Sequence, residues 1–470
     1  MLDAEIQADG VARSGLEWAM GRLGRTTWFR TPSDPQDDSM SPTDAPEWPA
    51  TRAEALRRLD DFLPLAGRDY ADLRNYDDGP NDRSNVSTLS PYVRHRLLTE
   101  AEIVSAAIGR HGMRSAEKFI GETCWRTYWK GWLELRPEVW SSYRAEVRGL
   151  VDSLDGDRSL RERFEAATSG RSGIACVDAW ARELVEVGYL HNHARMWFAS
   201  LWIFTLKLPW ALGADFFLRH LMDGDPASNT LSWRWVAGLQ TRGKTYLASS
   251  GNIARFTRGR VRPTERFAES AQPIEGPLAP AWRPLTATER LDPRRPFALL
   301  LTEEDLAVES LDLSKGSPVA VAGVLATDGR SPLEVGSVAS RFAEGARTDA
   351  LARAGSHFGV PALALSGNWA ESVVSWASGL GVDQLVTPFA PVGPVRERLD
   401  RLGDALGQQG IRLVRLLRPW DDELWPLATS GYFGFKKKLD ESLVRLGCFD
   451  RTACNSGRFL FDVAVGEDFC

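Results

Sequence analysis

The chain has 470 residues, more than a single hydrophobic core organises, which implies about two domains. Hydrophobic residues make up 43% and charged residues 26%, which excludes bulk disorder. With 57 Lys and Arg against 63 Asp and Glu, the net charge of −6 excludes a protein that coats nucleic acid by charge alone, but not a local basic groove. The 18 Trp against 8 Tyr point to aromatic-lined pockets, an electron relay or a flat-ring ligand, with packing in large helical cores accounting for most of them. Five scattered cysteines (Cys124, Cys176, Cys448, Cys454 and Cys470) form no CxxC and no zinc spacing with His, and read as free thiols of a reducing compartment. The N-terminus lacks a signal-peptide pattern, and the longest apolar stretch, Met196 to Leu206, is too short to cross a bilayer, so a cytoplasmic protein without a metal is expected.

Residues 1–50 are weakly patterned and Pro/Asp/Ser-rich, and read as a flexible extension. From 51 to 262 apolar residues recur at helical spacing, with Thr99 or Ser115 able to start helices and Gly112 or Gly188 able to stop them. Residues 263–295 form a Pro-rich linker. From 296 to 447 the short apolar runs FALLLT, PVAVAGVLA, PALALSG, DQLVTPF and IRLVRLL alternate with helix-like segments, the pattern of a parallel sheet with helices on both faces. Residues 448–470 are left as a tail. The order is therefore an all-α domain and then an α/β domain, the latter without a GxGxxG or GxxxxGK[ST] phosphate loop.

Chemistry-bearing residues are densest between Gly188 and Trp235. Asp223-Gly224-Asp225 is a carboxylate-rich turn between aromatic-rich segments, and Arg195 on the preceding segment is a candidate partner for Asp223. By itself that pair would be a structural ion pair. Four motifs in order change its meaning: SxLSPY at Ser87–Tyr92, ExxWRxY at Glu122–Tyr128, HNxxRM at His191–Met196 and LxDGDxxxNxxxWxW at Leu221–Trp235. Together they resemble the photolyase/cryptochrome flavoprotein family over roughly residues 68–245.

The resemblance implies an all-helical FAD-binding domain followed by a Rossmann-like antenna-type domain, an order opposite to the family's usual one. It places Tyr70, Ser87, Thr88, Leu89, Ser90 and Arg126 near the FAD diphosphate and ribityl chain. Arg195, Asp223 and Asp225 fall beside the isoalloxazine, and Asn229 faces flavin N5. Glu122, Trp125, Asn192 and Met196 match the positions where repairing members hold a cyclobutane pyrimidine dimer. Glu122 would hydrogen-bond or protonate the dimer, Trp125 would stack on the flipped-out lesion, and Met196 would give a soft apolar contact. Trp233 and Trp210 match the first two members of the family's photoreduction chain. The distal member has no match, and Trp180, Trp197 or Trp202 are its candidate substitutes.

Between Trp233 and Pro263 there are seven basic residues and no acid, a footprint for phosphates, with Arg242, Lys244, Arg255 and Arg258 the candidate DNA contacts. The likeness of the α/β half to an antenna domain is weaker, and a second chromophore there is left open. The leading expectation is light-driven repair, with an electron from excited reduced FAD splitting pyrimidine dimers in DNA. The alternatives are a blue-light photoreceptor of the cryptochrome kind and a flavoprotein recruited to small-molecule redox chemistry.

Overall fold

The computed structural model describes residues 48–285, 290–313 and 316–449. Most of the N-terminal extension, and the tail beyond 449 with Cys454 and Cys470, lie outside the described residues. The first half is helical: α1 (Arg52–Phe62), α2 (Arg68–Leu73), α3 (Ser90–Arg94), α4 (Glu100–Ser115), α5 (Glu117–Glu134), α6 (Glu138–Gly156), α7 (Arg158–Thr168) and α8 (Ala175–Val187). It continues with α9 (Asn192–Ser200), which runs into a π-turn at Leu201–Thr205, then α10 (Trp210–His220), α11 (Pro226–Val236) and α12 (Ser250–Phe256). Thr99 opens α4 with a reciprocal capping box to Glu102, which satisfies two orphan donors of the first turn. At Gly112 the backbone leaves the helical region (φ 74°, ψ 158°), so the regular helix from Glu100 is interrupted there, and a short helical piece reaches Ser115 across the kink. The next helix is capped by Ala116 rather than Ser115. Gly188, in the left-handed region, does end α8.

The second half is a five-stranded parallel sheet. Its strands are β1 (Phe297–Thr302), β2 (Val321–Val324), β3 (Ala362–Ala364), β4 (Gln384–Pro388) and β5 (Arg412–Leu416), in the doubly wound order β3-β2-β1-β4-β5. The connecting helices are α13 (Ser337–Phe358), α14 (Trp369–Gly379) and α15 (Pro394–Gly407), and α16 (Pro419–Leu424) and α17 (Tyr432–Arg445) follow β5. Strand alternation divides the sheet's side chains between two cores. Ala298, Leu300, Ala322 and Leu385 pack with α14 and α15. Leu299, Leu301, Val321 and Val386 join a core continuous with that of the helical half.

The junction of the halves is also ionic. Residues 303–305, just past β1, are Glu-Glu-Asp, all at most 3% exposed. Glu304 meets Arg94 at 2.7 Å and Lys130 at 3.4 Å. Asp305 meets Arg96 at 3.1 Å, and Arg418 at 2.7 Å. Arg96 also reaches Asp421 at 2.6 Å and Glu100 at 3.3 Å. Burying such ions is tolerable only because cations and anions alternate. Arg96→Met leaves Asp305, Asp421 and Glu100 without their shared cation. It is expected to cost about 3–5 kcal/mol, read as a lowered denaturant midpoint for both halves together.

Candidate functional site

The DGD turn is built by its flanks. Asp225 caps α11, accepting the Ser228 N–H at 2.7 Å, and Pro226 fills the first helical position, where no N–H is required. Asp223 is gripped by Arg195 Nη1 at 3.0 and 3.2 Å, while Arg195 Nε donates to Leu190 O at 3.0 Å. The expected Arg195–Asp223 pair is thus present and locked at both ends.

These residues line a half-open cavity with about 710 Å³ free of protein atoms, its open mouth included. Ser90, Arg126, Asn192, Arg195, Met196, Asp223, Asp225, Asn229 and Trp233 all contribute to its walls. Five buried polar atoms on residues of this lining have no hydrogen-bond partner: Arg126 Nε and Asp225 Oδ2, whose residues are ion-paired, and Asn192 Oδ1, Arg195 Nη2 and Ser228 Oγ. Groups of this kind are costly to leave unmade, so their convergence marks a place for a polar-edged ligand. Asn229 donates Nδ2 to Ala214 O at 2.7 Å, which fixes its amide plane.

The charge at the turn is settled by its neighbours. Burial pushes the Asp225 carboxyl up, but Arg126, Lys130 and Arg94, with the Ser228 N–H, outweigh it and hold the group well below the usual carboxylate range. Arg126 Nη2 lies 3.3 Å and Lys130 Nζ 3.5 Å from Asp225 Oδ2. Asp225 is an anion at any physiological pH.

Among the other expected cofactor residues, Ser87, Thr88 and Leu89 are buried just ahead of Ser90. Thr88 has a φ of 52°, an uncommon conformation for a β-branched residue, and its Oγ1 accepts from Arg58 at 3.1 Å. Tyr70 does not line this cavity. Its ring packs edge-on against Phe62 and Phe119, and its buried hydroxyl has no partner.

The four dimer-contact candidates divide into two pairs. Asn192 and Met196 line the cavity. Glu122 pairs with Arg74 at 2.9 Å, and Trp125 lies face to face with Tyr432 of α17, ring centres 3.6 Å apart and planes 10° apart. The Tyr432 hydroxyl donates to Gly121 O at 2.8 Å, fixing the lid ring over the indole. Tyr432 was invisible to sequence reasoning, because it approaches from more than 300 positions away.

Trp233 lines the cavity, and its neighbouring indole is Trp202, at 6.3 Å and perpendicular. Trp210 lies instead against Tyr143 at 5.7 Å, with Trp140 beyond at 5.4 Å. Trp180 and Trp197 stack on each other at 5.7 Å. A Cβ on Gly213 would fall 2.4 Å from the Trp233 ring and 2.8 Å from Trp202 Nε1, so only glycine admits both indoles here. In the basic stretch, Arg258 is paired with Asp78 and Arg260 with Asp77. Arg242, Lys244 and Arg255 are exposed, and Arg255, Arg258 and Arg262 line a shallow surface groove.

Residues 119–259 match the family described as the FAD binding domain of DNA photolyase. A deoxyribodipyrimidine photo-lyase of Streptomyces griseus is 37% identical over 172 residues, covering 36% of this chain and 36% of that protein. One of Neurospora crassa is 30% identical over 199 residues, covering 41% of this chain and 31% of its own. A bacterial class III photolyase structure from Agrobacterium tumefaciens is 28% identical, covers 44% of both chains and has a TM-score of 0.36. The chain spans less than half the length of the relatives it matches. A photolyase-type FAD-binding segment therefore lies in the helical half, and the cavity of the DGD turn is largely built from it. Among the described residues no helix is long and apolar enough to cross a membrane.

Gly213→Ala should push the Trp233 and Trp202 rings apart and cost about 1–3 kcal/mol, with a changed near-ultraviolet circular dichroism spectrum. His193, beside the cavity residues Asn192 and Arg195, is held by burial at a pKa of about 4, despite its contact to Asn75 O. A depressed imidazole pKa means that the unfolded chain takes up the proton first. Stability is therefore fully present above about pH 6.5 and is lost as pH falls towards 4. A His193→Gln variant should lose less stability than the parent over that window in urea titrations at stepped pH.

Proposed function

We propose that this chain binds FAD at the DGD cavity and acts as a light-driven lyase of the photolyase type, splitting cyclobutane pyrimidine dimers in DNA. The observation that carries the reading is the convergence of Asn192 Oδ1, Arg195 Nη2 and Ser228 Oγ, all without partners, on residues of one cavity. Donors and acceptors in that mixture suit the polar edge of an isoalloxazine. The matched segment and the relatives named as photo-lyases support FAD as the occupant and DNA as the partner.

Bound and reduced, FAD supplies the light-absorbing electron donor. The chain's own work is placement and electrostatics. Arg195 and Asp223 would hold the ring, Asn229 would offer it an amide whose plane is fixed by Ala214 O, and Asp225 sets the charge of the turn. Ser87 to Ser90, Tyr70 and Arg126 are assigned to the diphosphate and ribityl chain. Asn192, Met196, Glu122 and Trp125 are assigned to the dimer, Trp233 and Trp210 to electron supply, and Arg242, Lys244, Arg255 and Arg258 to the DNA backbone.

A second reading, a flavin photoreceptor without repair, is favoured by the Trp125–Tyr432 stack, which covers a ring face that a flipped-out lesion would use. An absorption spectrum of the FAD-loaded chain, then illumination with reductant and a dimer-containing oligonucleotide, separates the two. Light-dependent loss of dimers supports repair; photoreduction without loss supports the receptor; no bound flavin overturns both. In the repair case Glu122→Ala should lower dimer splitting by roughly 10²-fold with flavin retained. Trp233→Phe should greatly slow photoreduction of oxidised flavin.

A further inference from the structure

We infer that Glu304, in the α/β half, is a positioning residue for the flavin site of the helical half, acting through Lys130 and Arg94 on the DGD turn. The inference rests on the FAD reading above and extends it to the other half of the chain. Glu304 lines no part of the cavity. It is 3% exposed and holds two cations, Arg94 Nη2 at 2.7 Å through Oε1 and Lys130 Nζ at 3.4 Å through Oε2.

Each cation in turn holds the turn. Lys130 Nζ lies 3.5 Å from Asp225 Oδ2. Arg94 Nε donates to the carbonyl of Gly224 at 3.0 Å. Gly224 and Asp225 are both cavity walls. One carboxylate from beyond β1 thus sets where two cations stand, and those cations set the backbone and the charge of the turn that faces the ligand.

Charge bookkeeping gives the relation a sign. Arg94, Arg126 and Lys130 stand around two carboxylates, Asp225 and Glu100, the latter 3.6 Å from Arg126, and without Glu304 they would leave one positive charge in excess. Glu304 offsets one of those charges from behind the wall. Burial pushes Glu304 up, but Arg94 and Lys130 outweigh it and keep it ionised. Burial lowers Lys130, with Arg126 adding to that, while Asp225 and Glu304 favour its charge. Removing the Glu304 charge makes the site more positive. A positive site favours the reduced, anionic flavin and raises its midpoint potential.

The test is spectroelectrochemical titration of FAD bound to the full chain. Flavin binding by the parent protein is measured first; its absence would overturn the FAD reading itself and this inference with it. Given binding, Glu304→Gln should shift the midpoint upward, Lys130→Met downward, and the double variant should return it close to the parent value. Glu309→Gln, which removes a carboxylate of the same half paired with Arg353 at 2.6 Å, should leave it unchanged. Where Glu304→Gln does not fold, Lys130→Met and the double variant decide: a lowered and then a restored potential supports the relay. Flavin bound normally with one common potential across Glu304→Gln, Lys130→Met and the double variant would overturn the inference and leave the FAD reading standing.

Discussion

Everything else in this fold is arranged around the buried charge cluster where the helices meet the end of β1. Arg94, Arg96, Arg126 and Lys130 come from the helical half, and Glu304, Asp305, Arg418 and Asp421 from the other. Apart, the halves would leave these groups to water; together they bury them, which is tolerable only because each ion meets its counter-charge. Docking supplies the counter-charges, so the halves are thermodynamically one unit despite their different architectures. The hydrophobic core says the same, since the residues of one sheet face belong to the cluster that fills the helical half.

Helix α5 is where this constraint becomes geometry. Arg126 and Lys130, four residues apart, share the face turned to the cluster and the DGD turn. Gly131 lets the helix approach the other half so closely that a Cβ would lie 2.8 Å from Trp425 Cα. Trp125 is held under Tyr432 in the same approach. One helix thus carries cofactor-side and substrate-side candidates, and both sets are pinned by groups from the far half. The tryptophan excess has a mostly structural explanation here. Trp180, Trp197, Trp202 and Trp425 are among the largest fully buried side chains, whereas Trp233 and Trp235 are cavity walls.

Local features were legible in the sequence, and long-range complementarity was not. Parallel strands buried on both faces read as unbroken apolar runs, and FALLLT coincides with β1 residue for residue. The capping box at Thr99 needed only four residues to see. Gly112 was legible too, as the left-handed glycine at which the regular helix breaks. The Arg195–Asp223 pair was accessible through motif order, not through spacing. Glu304 and Tyr432 carried no local signal: one is an acid at a strand end, the other an aromatic in a Lys-rich helix. Their meaning exists only once residues some 170 and 300 positions away are beside them. The neighbour of Trp233 belongs to the same class, since the π-turn after α9 sets where Trp202 projects.

The sheet order adds a last step. In doubly wound sheets the crevice for ligands opens at the carboxyl ends of the strands, where the strand order reverses, here between β1 and β4. In this protein the β1 end of that crevice is filled from within. The acids that follow β1 receive Arg94 and Arg96, and the segment after β4 is tied to α5 by Glu134, which accepts from Val392 N–H at 3.0 Å and from Arg396 at 3.0 Å. The position that a free-standing α/β domain would offer to a ligand has become its docking face. Space at the strand ends survives on the β2–β3 side, in a cavity lined by Leu325, Asp328, Arg347, Asn368, Trp369 and Arg398. The switch point is thus occupied by the ion pairs that run from the acids after β1 through Arg94 and Lys130 to the DGD turn, which is where the α/β half meets the wall of the neighbouring cavity.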